Sequence, residues 1–98
     1  VMSQIFVVIR KHGAVWQNEL PLEKQAAWDA HAKFMDDLYE RGIALLVGPM
    51  EGTEEALIIM RADSPENTAK LLEGDPWSEM GLLHTTRIAR WELRLGSL

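Results

Sequence analysis

An α+β domain with the element order β-α-β-β-α-β is predicted by three features of the sequence. These are a β-branched apolar run near its start, two apolar-periodic segments each closed by a glycine, and a glycine-proline turn between two further apolar runs. Two crossovers joined by a hairpin give the ferredoxin-like arrangement: a four-stranded antiparallel sheet, both helices on one face, the first and third strands in the middle. The 98 residues have the length of one domain, so residues 1–98 are expected to share a single core.

The first strand is expected at Ile5-Phe6-Val7-Val8-Ile9, whose unbroken apolar character suits a strand buried on both faces. Residues 11–20, with Gly13, Trp16 and Asn18, then form a loop longer than the usual ~2 to 6 residues between elements. Over residues 22–41, Ala27, Ala30, Phe34 and Leu38 recur at three/four spacing and Gly42 stands where a helix ends, so one continuous helix is predicted. Residues 43–47 make the second strand, and Gly48-Pro49-Met50-Glu51-Gly52-Thr53 turns the chain into a third at residues 55–61. Ser64-Pro65-Glu66 supplies an N-cap, a proline at the first helical position and an acid in the first turn of a second helix that stops at Gly74. Residues 75–81 read as a turn or a single helical turn. Ala89, Trp91, Leu93 and Leu95 then alternate with Ile88, Arg90, Glu92 and Arg94 as a fourth strand with one wet face.

In the first and third strands both sets of alternating positions are apolar, whereas helices cover one side of a sheet only. Sheet-to-sheet packing of a homodimer is the expected cover for the other. The formal net charge is −5 and the ten basic residues are scattered, with Arg87, Arg90 and Arg94 the only local grouping. Nucleic-acid binding rests on phosphate neutralisation, so no nucleic-acid partner is expected. The apolar runs are too short to cross a bilayer and the start lacks a signal-peptide layout, which leaves no membrane partner and a cytoplasmic location. With no cysteine, disulfides and thiolate chemistry are excluded.

His31 lies four residues after Ala27 and three before Phe34, on the inward side of the first helix. It suits either a packed core histidine bonded to backbone or an acid/base group beside a cleft. Asp75, between Gly74 and Pro76, suits a helix cap, and it also suits a carboxylate that orients His31, because the two helices lie side by side. One side chain serves both purposes only if its two oxygens are divided between them. Trp16, Trp28 and Trp77 are candidates to line a pocket for a planar ligand, or to pack the core. His12 and His84 have no metal-ligand spacing with His31, so no metal is expected. A phosphate-binding glycine loop and a serine elbow are both missing from the sequence.

The segment His31-Ala32-Lys33-Phe34-Met35-Asp36-Asp37-Leu38 running into Gly42-Ile43-Ala44-Leu45-Leu46-Val47-Gly48-Pro49, together with Gly74-Asp75-Pro76-Trp77, resembles the YciI-related (YCII domain) family. The resemblance spans almost the whole chain. It implies a dimeric α+β barrel in which His31 and Asp75 form the active-site pair, with Trp77 as the aromatic of an Asp-Pro-aromatic motif. Many members carry an arginine three residues before the histidine; here that position is Trp28. The resemblance also implies small-molecule chemistry, with a dehydrochlorinase-like lyase among the members and lactone isomerases among more distant relatives. The expected function is thus a lyase or isomerase acting on a small cyclic or aromatic ligand without a cofactor. His31 and Asp75 are its catalytic pair, and Trp77, Phe34, Met80 and Trp28 contact the substrate. The alternative is a non-catalytic dimeric module that binds a small molecule or serves as an accessory.

Overall fold

The computed structural model describes residues 4–98; residues 1–3 of the expected domain lie outside the described residues. Strands β1 (Gln4–His12), β2 (Ala44–Pro49), β3 (Glu55–Ala62) and β4 (Leu83–Arg90) form one sheet in the order β2-β3-β1-β4. Every pairing is antiparallel. Helices α1 (Trp28–Glu40), α2 (Pro65–Glu73) and α3 (Pro76–Met80) complete the fold. The topology is the expected α+β one with β1 and β3 central, and the turn after α2 is a short helix of its own.

Alternation fixes the covered face. Phe6, Val8 and Arg10 of β1 are buried, as are Ile58, Met60 and Ala62 of β3, while Ile5, Val7, Ile9 and Leu57 on the other face are half-buried. Met35 and Leu38 of α1 and Leu72 of α2 pack on Val8, Ile58 and Met60, and so set both long helices on one side. The start of α2 forms as the sequence dictates: the Ser64 hydroxyl accepts from the Asn67 N–H at 3.0 Å and Pro65 takes the first helical position.

Four expectations are corrected. The single helix over 22–41 is instead a 3-10 turn (Leu22–Lys24) followed by α1, with Ala27 between them in the left-handed region at φ 57°. That conformation costs a non-glycine residue about 1–2 kcal/mol, and bonds to groups outside α1 offset it. Gln25 donates to the Gln17 and Leu20 carbonyls and accepts from Gln17 N–H, and Trp77 Nε1 donates to Ala26 O at 2.6 Å. A continuous helix would have used the Ala26 carbonyl internally. The buried stripe of α1 accordingly runs through Met35 and Leu38, with Ala27 and Ala30 exposed. The first strand extends past Ile9 to His12, because Arg10 continues the inward alternation of Phe6 and Val8. The fourth strand lies at Leu83–Arg90 rather than over the alternating residues 88–95, and Trp91 and Leu95 are exposed. As an edge strand it is held by backbone pairing to β1, which its side-chain pattern does not report.

Candidate active site

Between α1 and one end of the sheet lies a cavity of about 360 Å³, within the range of small-molecule sites. Its floor is Arg10 and His12 of β1 with Ala56 and Ile58 of β3, and its walls include Trp16, Trp28, His31, Met35 and Trp77. A close approach of backbone shapes this end. Gly13 N–H donates to Leu82 O at 2.8 Å, and a Cβ on Gly13 would collide with the Gly81 carbonyl, so only glycine lets the loop after β1 sit against the segment after α3.

Asp75 is fully buried at the N-cap of α3, and it meets both the cap and His31 with Oδ1 shared between them rather than with one oxygen for each. Oδ1 accepts from the Trp77 N–H at 3.0 Å, which is the cap. His31 Nδ1 lies 2.9 Å from Oδ1 and 3.0 Å from Oδ2, and Arg10 Nη1 donates to Oδ2 at 3.1 Å. The carboxylate thus has a cation, an imidazole and a backbone donor around it, which is what a buried charge needs to be tolerated. Arg10 is held in turn by Ser78 Oγ at 2.5 Å and Leu83 O at 3.4 Å. Burial lowers its pKa from the ordinary value and the charge of Asp75 opposes that shift, so the guanidinium stays charged.

A carboxylate at hydrogen-bond distance favours the proton on Nδ1 of His31, and in the neutral ring this leaves Nε2 as a lone pair. The imidazole is fixed by stacking as well: its ring lies 3.8 Å from that of Trp77 with 6° between planes. A second stack, His12 on Trp16 at 3.9 Å and 9°, meets the first through the edge-on contact of Trp16 with Trp77 at 5.4 Å. Trp28 closes the cluster, 5.9 Å from His31 and 5.8 Å from Trp77. Two imidazoles and three indoles therefore form one aromatic wall.

Among the residues expected at the site, the structure brings together His31, Asp75, Trp77 and Trp28. Phe34 and Met80 are not in the cavity lining. Phe34 packs against the main core below Gly74, and Met80, at the end of α3, is 44% exposed. Phe34 lies three residues beyond His31 and α3 turns Met80 outward, so nearness in sequence to the pair does not carry either side chain into the cavity. Among the lining residues that the sequence did not point to are Arg10 and His12. Their signal was the i, i+2 spacing from Phe6 and Val8, which places both on the helix-covered face. His84 is exposed on β4. Among the described residues no three His, Cys, Asp or Glu side chains are grouped to hold a metal, and no helix is long and apolar enough to cross a membrane.

Fold and site together define a class: a small α+β domain whose α1 histidine meets the aspartate of an Asp-Pro-aromatic cap beside an aromatic cavity. The YCII-related domain model matches residues 5–92, and the chain belongs to that family. No curated protein and no solved structure matches it.

Proposed function

We propose that the protein is a lyase or isomerase that moves a proton on a small cyclic or aromatic molecule, with His31 as the base and Asp75 fixing its tautomer. The observation that carries this reading is the Asp75 carboxylate at 2.9 and 3.0 Å from His31 Nδ1, at the border of an aromatic-walled cavity. A lone pair on Nε2 then takes a proton from a bound carbon acid, and the imidazolium that forms is stabilised by Asp75. Trp28, half-buried, offers flat apolar surface to a planar substrate, while Trp77, fully buried, backs the His31 ring. The cysteine-free composition is in keeping with a cytoplasmic setting.

The test is hydrogen–deuterium exchange at carbon, followed by NMR in heavy water with a panel of cyclic ketones, enones and lactones. The wild-type protein is expected to exchange at least one panel member faster than the His31→Gln variant, whose melting temperature is expected to stay near that of the parent because Gln still donates to Asp75. Equal rates across the panel would instead favour a non-catalytic binding module, a reading that the mainly apolar lining also supports.

The proposal includes a homodimer formed through the sheet face that carries no helix. There Ile5, Val7, Ile9 and Leu57 are half-buried and Leu46 is 56% exposed, an apolar surface of the kind that interfaces cover. Sedimentation equilibrium is expected to give twice the mass of one chain. Leu57→Glu is expected to yield a folded monomer, whereas Ile58→Glu, whose side chain is 3% exposed in the core, should not fold. A monomeric wild-type protein at micromolar concentration contradicts this part of the proposal.

A further inference from the structure

His12 was not singled out as a functional residue by its sequence context, yet it faces the same cavity as His31, from β1. Its two ring nitrogens are in unlike surroundings. Nδ1 is sealed from solvent and has no hydrogen-bond partner among the described residues, while Nε2 is not sealed and has no protein partner there either. Protonating both nitrogens would bury an N–H without an acceptor. Placing the single proton of the neutral ring on Nδ1 would do the same, and an orphaned buried donor is the less tolerated of the two defects. The tautomer with a bare Nδ1 and a proton on Nε2 is therefore the favoured one. Burial also lowers the His12 pKa, over an opposing effect of Glu54 on the turn before β3, so the ring is neutral at physiological pH.

The two histidines of the cavity are thus in opposite tautomers at their free nitrogens: His31 presents a lone pair and His12 presents an N–H. We propose that His12 is the electrophile of the site, donating from Nε2 to a carbonyl or enolate oxygen of the substrate while His31 removes the proton from the adjacent carbon. This deepens the proton-transfer reading of the site and rests on it. It also names the substrate class, a planar neutral carbonyl compound with an acidic α-hydrogen.

The electrons balance within the substrate. The C–H pair becomes the enolate π bond, the carbonyl π pair moves to the oxygen that His12 holds, and His31 keeps the proton. Collapse of the enolate then either returns that proton to a different carbon, which is isomerisation, or expels a β-leaving group with its electron pair, which is elimination. The charges in the lining agree with a neutral substrate. Among the described residues, Arg10 is held by Asp75, Ser78 and Leu83 through its Nη atoms, its unpartnered Nε is sealed from solvent, and the other full charge in the lining is the carboxylate of Asp36. Neither offers a counter-ion to an anion, so the oxygen charge that develops during reaction falls to a neutral donor. A neutral imidazole suits that task, since it stabilises the enolate without first being paired as an ion.

The probe is para-nitrophenolate, a planar oxyanion that imitates the enolate, with binding followed by its absorbance. The wild-type protein is expected to bind it. His12→Phe, which keeps the stack on Trp16 and loses the donor, should weaken binding about 10- to 100-fold, the range for a hydrogen bond to a charged group. His12→Gln, which restores a donor, should recover most of the affinity. Proton–nitrogen correlation spectra of the wild-type protein should show His12 neutral with its proton on Nε2. Failure of the wild-type protein to bind para-nitrophenolate, equal binding by His12→Phe, or a His12 proton on Nδ1 would each overturn the proposal. If His31→Gln loses carbon exchange while His12→Phe keeps both exchange and phenolate affinity, the His12 role fails and the His31–Asp75 pair stands.

Discussion

Arg10→Met is expected to lower the stability of the domain by about 3–5 kcal/mol, the cost of breaking a buried ion pair from one side. Arg10 is 1% exposed and Asp75 is fully buried, so a carboxylate left without its guanidinium cannot turn to water. The variant also removes the guanidinium donor from Ser78 Oγ and the Leu83 carbonyl. Methionine fills most of the volume, which separates the loss of charge from the opening of a cavity. Urea unfolding checks the result, and a loss under about 1 kcal/mol would mean that Asp75 does not depend on Arg10. The pair also serves the chemistry: the guanidinium on Oδ2 helps to hold in place the carboxylate that His31 Nδ1 meets.

Asp75→Asn is expected to reduce carbon–hydrogen exchange about 100- to 10,000-fold, the usual contribution of a positioned general base. The direction follows from donor counting. An amide has one oxygen, and the carboxylate it replaces accepts from Arg10, His31 and the Trp77 N–H. With the amide oxygen in the Oδ2 place beside Arg10, the NH2 group takes the Oδ1 place, where it faces the Trp77 N–H and His31 Nδ1, and the imidazole answers by moving its proton to Nε2. The base then points a proton rather than a lone pair at the substrate. In that arrangement the Trp77 N–H loses its acceptor and Arg10 loses its counter-charge, so the variant should be less stable than the parent. Comparable exchange by this variant and the wild-type protein would remove Asp75 from the mechanism. The comparison is made on folded protein, checked by circular dichroism.

What was legible in the sequence had a local cause. The apolar run around Val7, the Ser64-Pro65 cap and the glycine after α1 each report a conformation that neighbouring residues alone determine. His31 and Asp75 were legible as candidates from helical spacing and from the Asp-Pro turn, although their meeting was not. What was not legible depends on distant partners. Ala27 adopts a left-handed conformation with no glycine to announce it, because the bonds that offset it come from Gln17, Leu20 and Trp77. Arg10 looks like the end of a strand by charge, yet it is buried because its counter-charge lies 65 residues away. The position of β4 follows from pairing with β1, while the alternation in residues 88–95 belongs largely to a segment beyond the sheet. Phe34 and Met80 show the converse error, in which closeness to His31 and Asp75 along the chain stood in for closeness in space.

The central claim is that Asp75 holds the proton of neutral His31 on Nδ1 and leaves Nε2 as the base of the cavity. The most direct measurement is a long-range proton–nitrogen correlation spectrum of the wild-type protein at alkaline pH, where an imidazole is neutral. The expected result is a protonated Nδ1 and an unprotonated Nε2 for His31, with the tautomer population strongly one-sided. A His31 resonance pattern with the proton on Nε2, or an even mixture of the two tautomers as in a free imidazole in water, would contradict the account.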